Sequence, residues 1–154
     1  MSGRMWALAA LVVLLAIGGF IAFTSPPRLL SIADGIAGGG KGVQRTGSAV
    51  AFGSNGQALD VWAPAAGSET PRPVVVFFHG GGWVKGDRDA YAFAGRAFAS
   101  RGYVVVIPDY RKVPDALFPT FIEDGADVVA WTYENIEDFR GYPERIALAG
   151  HSAG

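Results

Sequence analysis

Three rhythms of apolar and polar residues run along the chain. The first is unbroken: Met5 to Phe23 carries no charged residue. As a helix it would be about 28 Å long, close to the hydrocarbon thickness of a bilayer. No face of it is polar, which disfavours a buried helix of a soluble fold. The second rhythm is the short continuous run. Val74–Phe78, Tyr103–Ile107 and Ile146–Ala149 are apolar and β-prone, as strands are when helices cover both faces of a parallel sheet. The third is helical. Phe118, Phe121, Ile122, Gly125, Ala126 and Val129 recur at i, i+3, i+4, i+7, i+8 and i+11. That spacing predicts a helix from about Pro119 to Asn135 with this stripe in the core and Glu123, Asp127 and Glu134 outside. Another helix is predicted from about Asp89 to Ser100. Its inner side would carry Ala90, Phe93, Ala94, Ala97 and Phe98, and Gly102 would stop it.

Ser48–Phe52 and Leu59–Trp62 read as strands around Gly53-Ser54-Asn55-Gly56, whose Asn-Gly pair signals a hairpin. They would form the antiparallel leading edge of a mostly parallel sheet with helices on both faces, an α/β arrangement. Thr24 to Thr46 opens with prolines and passes into Gly38-Gly39-Gly40-Lys41-Gly42. We expect a flexible spacer there. The division is then an apolar segment over 1–23, a Gly/Pro-rich linker over 24–46 and a domain over 47–154. Gly40-Lys41 is a near miss to a phosphate loop, but Gly42 stands where Ser or Thr is needed and no strand precedes it.

Two loops carry candidate chemistry. Gly150-His151-Ser152-Ala153-Gly154 fits G-x-S-x-G and follows the apolar run Arg145–Ala149. A strand feeding a tight turn of small residues lifts the serine above the sheet, so Ser152 is the expected nucleophile. Upstream, Pro73–Phe78 ends in His79-Gly80-Gly81-Gly82-Trp83. Three glycines let backbone N–H groups reach a ligand without obstruction by Cβ atoms. The tetrahedral intermediate of ester cleavage carries a negative oxygen, and losing one donor to it typically costs about 3 kcal/mol of barrier. The expected donors are Gly81, Gly82 and Ala153.

The order of these motifs resembles the carboxylesterase branch of the α/β-hydrolase superfamily, which includes hormone-sensitive-lipase-like esterases, BD-FAE-type feruloyl and acetyl-xylan esterases, kynurenine formamidases and prenylcysteine methylesterases. The likeness runs from Leu59-Asp60-Val61-Trp62-Ala63-Pro64 through the glycine loop, Pro108-Asp109-Tyr110-Arg111, Phe118-Pro119 and Glu123-Asp124 to Tyr142-Pro143-Glu144-Arg145-Ile146 and the serine turn. His151 stands where many lipase-like members have Asp, which leans the likeness towards the BD-FAE or methylesterase side. Tyr142 also departs from the family's Asp, in a connection remote from the chemistry. The resemblance implies the N-terminal half of the fold, with the catalytic acid and histidine after the serine in chain order, so that the 154 residues by themselves would be truncated and inactive. It also implies that His79, Gly80 and Trp83 support the glycine loop, and that Asp109, Tyr110 and Arg111 brace it through a buried ion pair and hydrogen bonds. Asp115, Glu123 and Asp124 are open as partners of Arg111. His151 is badly placed to serve as the base, because neighbours in a tight turn point apart.

Charge and composition narrow the rest. The formal net charge is −1, which suggests no nucleic-acid partner. There are no cysteines, and the two histidines form no ligand spacing, so neither a metal nor a cofactor is expected. Arg4 precedes the apolar segment and Arg28 follows it. An uncleaved single-pass anchor with the domain on the outer face is favoured over a removed signal peptide and export. Two readings of function follow. In the first, the protein hydrolyses a small-molecule carboxylic ester, or alternatively an N-formyl amide. In the second, it is a non-catalytic membrane-anchored binding domain. The open sheet edge next to the last predicted strand predicts that the 154-residue chain is insoluble by itself.

Overall fold

A computed structural model describes residues 3–154 of the chain. Residues 1 and 2 of the expected apolar segment, and the Arg4 side chain used above as a charge flank, lie outside the described residues. Helix α1 (Gly3–Phe23) is a single 21-residue helix. No part of its apolar window, Met5–Phe23, is buried. Helix α2 (Pro26–Ile36) follows, with prolines at its first positions, where their fixed φ favours helix entry and their missing N–H costs nothing. Strand β1 begins at Val43. The stretch expected to be a flexible spacer therefore holds a docked helix and the start of a strand. Only its glycine tract remains a turn.

Five strands form one sheet: β1 (Val43–Phe52), β2 (Gln57–Pro64), β3 (Arg72–Phe78), β4 (Val104–Pro108) and β5 (Gly141–Gly150), in the order β1-β2-β4-β3-β5. The β1–β2 and β2–β4 pairs are antiparallel, whereas β4, β3 and β5 run parallel. The expected leading hairpin and three parallel strands are all present; β4 is offset by one residue from its apolar run, and the other four are longer than theirs. A bulge interrupts β1 near Ala49, whose φ of 51° is held by a 2.9 Å bond from its N–H to Asp60 Oδ1. Val104 to Ile107 are fully buried, and so are Leu59, Val61 and Val76. Removing each such side chain from water contributes roughly 1.5–3 kcal/mol.

Helix α3 (Ala92–Ala99), entered through a 3-10 turn at Asp89–Tyr91, packs on one side of the sheet. Helix α4 (Thr120–Asn135) packs on the other. Both helices are where the pattern predicts, and in the first Ala90 and Ala94 are buried with Phe93 and Phe98 packed against the core, as expected. Ala97, expected inside, is exposed, and α3 buries Ala92, Gly95 and Ala99 instead. Small residues let this helix press against Trp62, since a Cβ on Gly95 would lie 2.5 Å from Trp62 Cδ1.

The correction to α4 is larger. Its buried positions are Asp124, Val128 and Thr132, while Phe118 and Ile122 of the predicted core stripe are exposed. Paired with Arg111 and Gln57, Asp124 draws a polar position inward. The apolar stripe then faces an open groove of about 750 Å³ between α4 and β5. Strand β5 also differs from the expectation of cover on both faces. It is the edge strand, as the predicted open edge requires, but Leu148 on its face is exposed.

Candidate active site

Parallel strands β3 and β5 are adjacent in register, with Phe78 beside Gly150. The loops that leave their C-terminal ends therefore meet. Sheets of this kind present their sites at that end. His79–Trp83 leaves β3, and His151–Gly154 leaves β5. His151 N–H donates to the Phe78 carbonyl at 3.2 Å and so ties the second loop to the base of the first.

The glycine loop is folded hard on itself. Gly81 has φ +142°, and a Cβ there would fall 1.8 Å from the Lys85 carbonyl oxygen. Val84 and Lys85 N–H groups both donate to the Gly81 carbonyl, at 3.3 and 3.1 Å. Gly80 touches the serine loop directly, because a Cβ on it would lie 2.7 Å from the His151 carbonyl oxygen and 2.9 Å from the Tyr91 hydroxyl. Only glycine permits that approach.

Ser152 has φ +59°, the left-handed region that a non-glycine residue enters at a cost of about 1–2 kcal/mol. It is exposed. Gly80, Gly81, Gly82 and Ser152 line one cavity of about 780 Å³. The N–H groups of Gly81, Gly82 and Ala153 donate to no acceptor among the described residues. Ala153 lines the neighbouring groove beside α4, along with Trp83, Gly154 and Tyr110. The glycine loop and the serine turn are thus a partition between two spaces. Trp83 stacks on Phe121 with ring centroids 5.7 Å apart.

Beneath this partition lies a polar layer. His79 is fully buried, with Nδ1 2.9 Å from the Gly80 carbonyl oxygen. Its ring stacks on Tyr110 at 4.4 Å, and the Tyr110 hydroxyl donates to the His79 carbonyl oxygen at 2.6 Å. Burial raises the Tyr110 pKa to about 12, helped by Tyr91 and Asp109. His79 Nε2 lies 3.4 Å from Asp109 Oδ1, outside hydrogen-bond geometry, so the close pairing of Asp109 is with Arg88. Arg88 uses both its backbone N–H, at 2.8 Å, and its guanidinium. Burial alone would push the Asp109 pKa up, but the His79 edge and Arg88 hold it below the ordinary carboxylate range.

The structure selects Asp124 as the partner of Arg111. Its carboxylate accepts from Arg111 Nη2 at 2.5 Å, from Arg111 N–H at 2.7 Å and from Gln57 Nε2 at 2.7 Å. Here too desolvation raises the pKa and the Arg111 contacts overcome it, leaving Asp124 lowered.

Neither histidine of the chain is offered to Ser152. His79 is sealed below the loop, and His151 Nδ1 is 2.8 Å from the Tyr91 hydroxyl. Among the described residues no group of His, Cys, Asp and Glu could hold a metal ion. Asp60, Arg88 and Tyr91 were not singled out from the sequence. Asp60 joins the layer through Arg88 Nε at 3.1 Å. Its signal was legible: an acid between Leu59 and Val61 in a buried strand needs a cation. Arg88 and Tyr91 had no comparable signal.

The profile of one family, described as BD-FAE, matches residues 59–154, more than half of the chain. Carboxylesterase NlhH of Mycobacterium tuberculosis is 39% identical over 94 residues, covering 60% of this chain and 29% of the relative. A probable isoprenylcysteine alpha-carbonyl methylesterase, ICMEL1 of Oryza sativa subsp. japonica, is 38% identical over 96 residues, covering 62% of this chain and 22% of the relative. Among solved structures, one from a study of two fungal esterases from Rhizomucor miehei superposes with a TM-score of 0.65 at 31% identity, over 73% of this chain and 35% of that one. The chain thus spans under a third of the length of these two curated relatives.

Proposed function

Since the chain belongs to the BD-FAE family, in the carboxylesterase branch of the α/β-hydrolases, we propose that it is part of a serine hydrolase that cleaves carboxylic esters through an acyl-enzyme on Ser152. The Ser152 hydroxyl attacks the ester carbonyl carbon. The carbonyl oxygen, now negative, takes hydrogen bonds from the N–H groups of Gly81, Gly82 and Ala153. The alcohol leaves with a proton, and water then releases the acid. His79, Gly80 and Trp83 fix the glycine loop, and Asp109, Tyr110 and Arg111 brace it from below. No cofactor enters this chemistry.

One observation carries the reading. The N–H groups of Gly81, Gly82 and Ala153 have no acceptor among the described residues, and Gly81 and Gly82 share a cavity with Ser152. Gly81 and Ala153 are half-buried and Gly82 is exposed, so these N–H groups are accessible to a bound carbonyl oxygen. His79 and His151 are both engaged elsewhere, so neither is proposed as the base that takes the Ser152 proton.

Helix α1 serves as the anchor in this proposal. The expected start of the domain at residue 47 then moves back to take in β1 from Val43 and the docked α2, which joins it to the anchor. The test is mass-spectrometric mapping of a fluorophosphonate adduct on the whole protein, alongside hydrolysis of p-nitrophenyl esters of increasing chain length. A single adduct on Ser152, absent from Ser152→Ala, is the expected result. Turnover that survives Ser152→Ala would overturn the reading.

A further inference from the structure

The segment joining α1 to α2 forms a wall of the cavity that holds Ser152. Ala22, Phe23, Pro26 and Pro27 line it opposite Gly81 and Gly82. That wall is fastened in place. Arg28 Nη2 donates to both Asp87 carboxylate oxygens, at 2.8 and 2.9 Å. Ser31 Oγ donates to the Ala90 carbonyl oxygen at 2.8 Å and accepts from Phe93 N–H at 3.1 Å. Arg96 donates to Asp34 Oδ2 and to the Ser31 carbonyl oxygen, each at 2.6 Å. The end of α1 is thereby held at the mouth of the cavity.

Helix α1 holds 19 uninterrupted apolar residues with a mean hydropathy of 2.5. That is close to the roughly 20 residues a bilayer-spanning helix needs. Around the same loops lies an apolar rim. Val84 lines the Ser152 cavity and is 57% exposed. Trp83 beside it is 44% exposed, and Leu117 and Phe118 are exposed as well. The rings of Trp83, Phe121 and Phe118 form a continuous row. Aromatic side chains gather at membrane–water boundaries, and an apolar patch of this kind marks a surface that something covers. The end of the span and Val84 are separate features of the sequence, yet both line the Ser152 cavity, while Trp83 and Phe121 carry the apolar surface over the loop into the neighbouring groove.

We propose that the mouth of the Ser152 cavity lies against a lipid surface, and that the ester it takes is one dissolved in the bilayer. Such a substrate enters between Phe23 and Val84 with its hydrocarbon portion still in lipid. This proposal rests on Ser152 as the reacting group, but its placement in the membrane is measured independently.

The chain lacks cysteine, so a single nitroxide label can be placed at will. Val84→Cys and Leu117→Cys sample the rim at two separate loops. Glu69→Cys samples the exposed β2–β3 loop, at the opposite end of β3 from Gly80. In phosphatidylcholine vesicles both rim labels are expected to lose access to a water-soluble nickel complex and gain access to oxygen, while the Glu69→Cys label keeps its nickel access. Leu117→Cys carries the test if Val84→Cys does not fold. Nickel access at the rim equal to that at Glu69→Cys overturns the proposal, as does a chain that stays in the aqueous phase.

A long-chain fatty acid methyl ester with a terminal diazirine, dissolved in the same vesicles, tests the route. Photo-adducts are expected on residues 22–27 and 82–84, and adducts confined to residues 5–20 overturn it. Neither readout needs Ser152 to react, and Ser152→Ala is expected to give the same result. Failure here therefore leaves the hydrolase reading standing, and absence of a fluorophosphonate adduct leaves the lipid placement standing.

Discussion

Tyr110 caps the carbonyl of His79. Its hydroxyl donates to that oxygen at 2.6 Å while its ring lies flat on the imidazole. The backbone just before the three glycines is held by a side chain from the loop after β4. Tyr110→Phe keeps the stacking and removes the donor, which leaves a buried carbonyl unpaired. A loss of about 1–3 kcal/mol is expected from the shift in urea midpoint of the detergent-solubilised chain.

The same tyrosine sets a limit at high pH. Its folded pKa is raised to about 12 from the ordinary 10.0, chiefly by burial. The neutral phenol is thus favoured by the fold. Its contribution is whole below pH 10 and fades as pH climbs through 12. Urea midpoints measured across that window should fall for the parent chain and fall less steeply for Tyr110→Phe.

At low pH the sign reverses. Asp109 and Asp124 are both held below the ordinary 3.8, because His79 and Arg88 for the first and Arg111 for the second outweigh desolvation. Their contribution is present above pH 3.8 and is lost as pH falls below it. Asp124→Ala leaves Arg111 and Gln57 without their shared acceptor. The variant is expected to be less stable, chiefly because buried Gln57 loses its acceptor while Arg111 keeps its access to water. A smaller remaining loss of stability between pH 4 and 2 is expected in that variant, read by circular dichroism.

Ser152 trades stability for exposure of its hydroxyl. Its φ of +59° is strained for any residue with a Cβ. Ser152→Gly should therefore raise stability, by about 1 kcal/mol, while removing the fluorophosphonate adduct from the whole protein. A stability equal to or below that of the parent would show that the turn is not strained.

Gly81 tests the loop itself. A Cβ at 1.8 Å from the Lys85 carbonyl oxygen cannot be absorbed by rotating a side chain. Gly81→Ala must shift backbone, at a cost above about 1 kcal/mol in stability. In the whole protein, displacement of a donor N–H should lower kcat by about 10²–10³ with little change in KM. Steady-state kinetics on p-nitrophenyl acetate measures both.

Strands, their directions and the two candidate loops were legible because each rests on local signals: apolar runs, an Asn-Gly turn, glycine punctuation. The face that α4 presents was not. Periodicity marks which residues of α4 share a stripe, but the pairing of Asp124 with Arg111, on the loop after β4, rotates the helix against that stripe. The sequence offered three acids for Arg111 and no way to rank them. Helix α2 was hidden for a similar reason. Its composition reads as a spacer, and its order comes from Arg96 and Ala90, over fifty residues away in the chain.

The partition formed by the glycine loop and the serine turn divides what the two portions of an ester would meet. On one side stand Phe23 to Pro27, and on the other the apolar stripe of α4. Preference for the acid moiety and preference for the alcohol moiety would then be written in separate stretches of polypeptide. Substitutions could retune one while the other stayed as it was, with the dividing wall untouched.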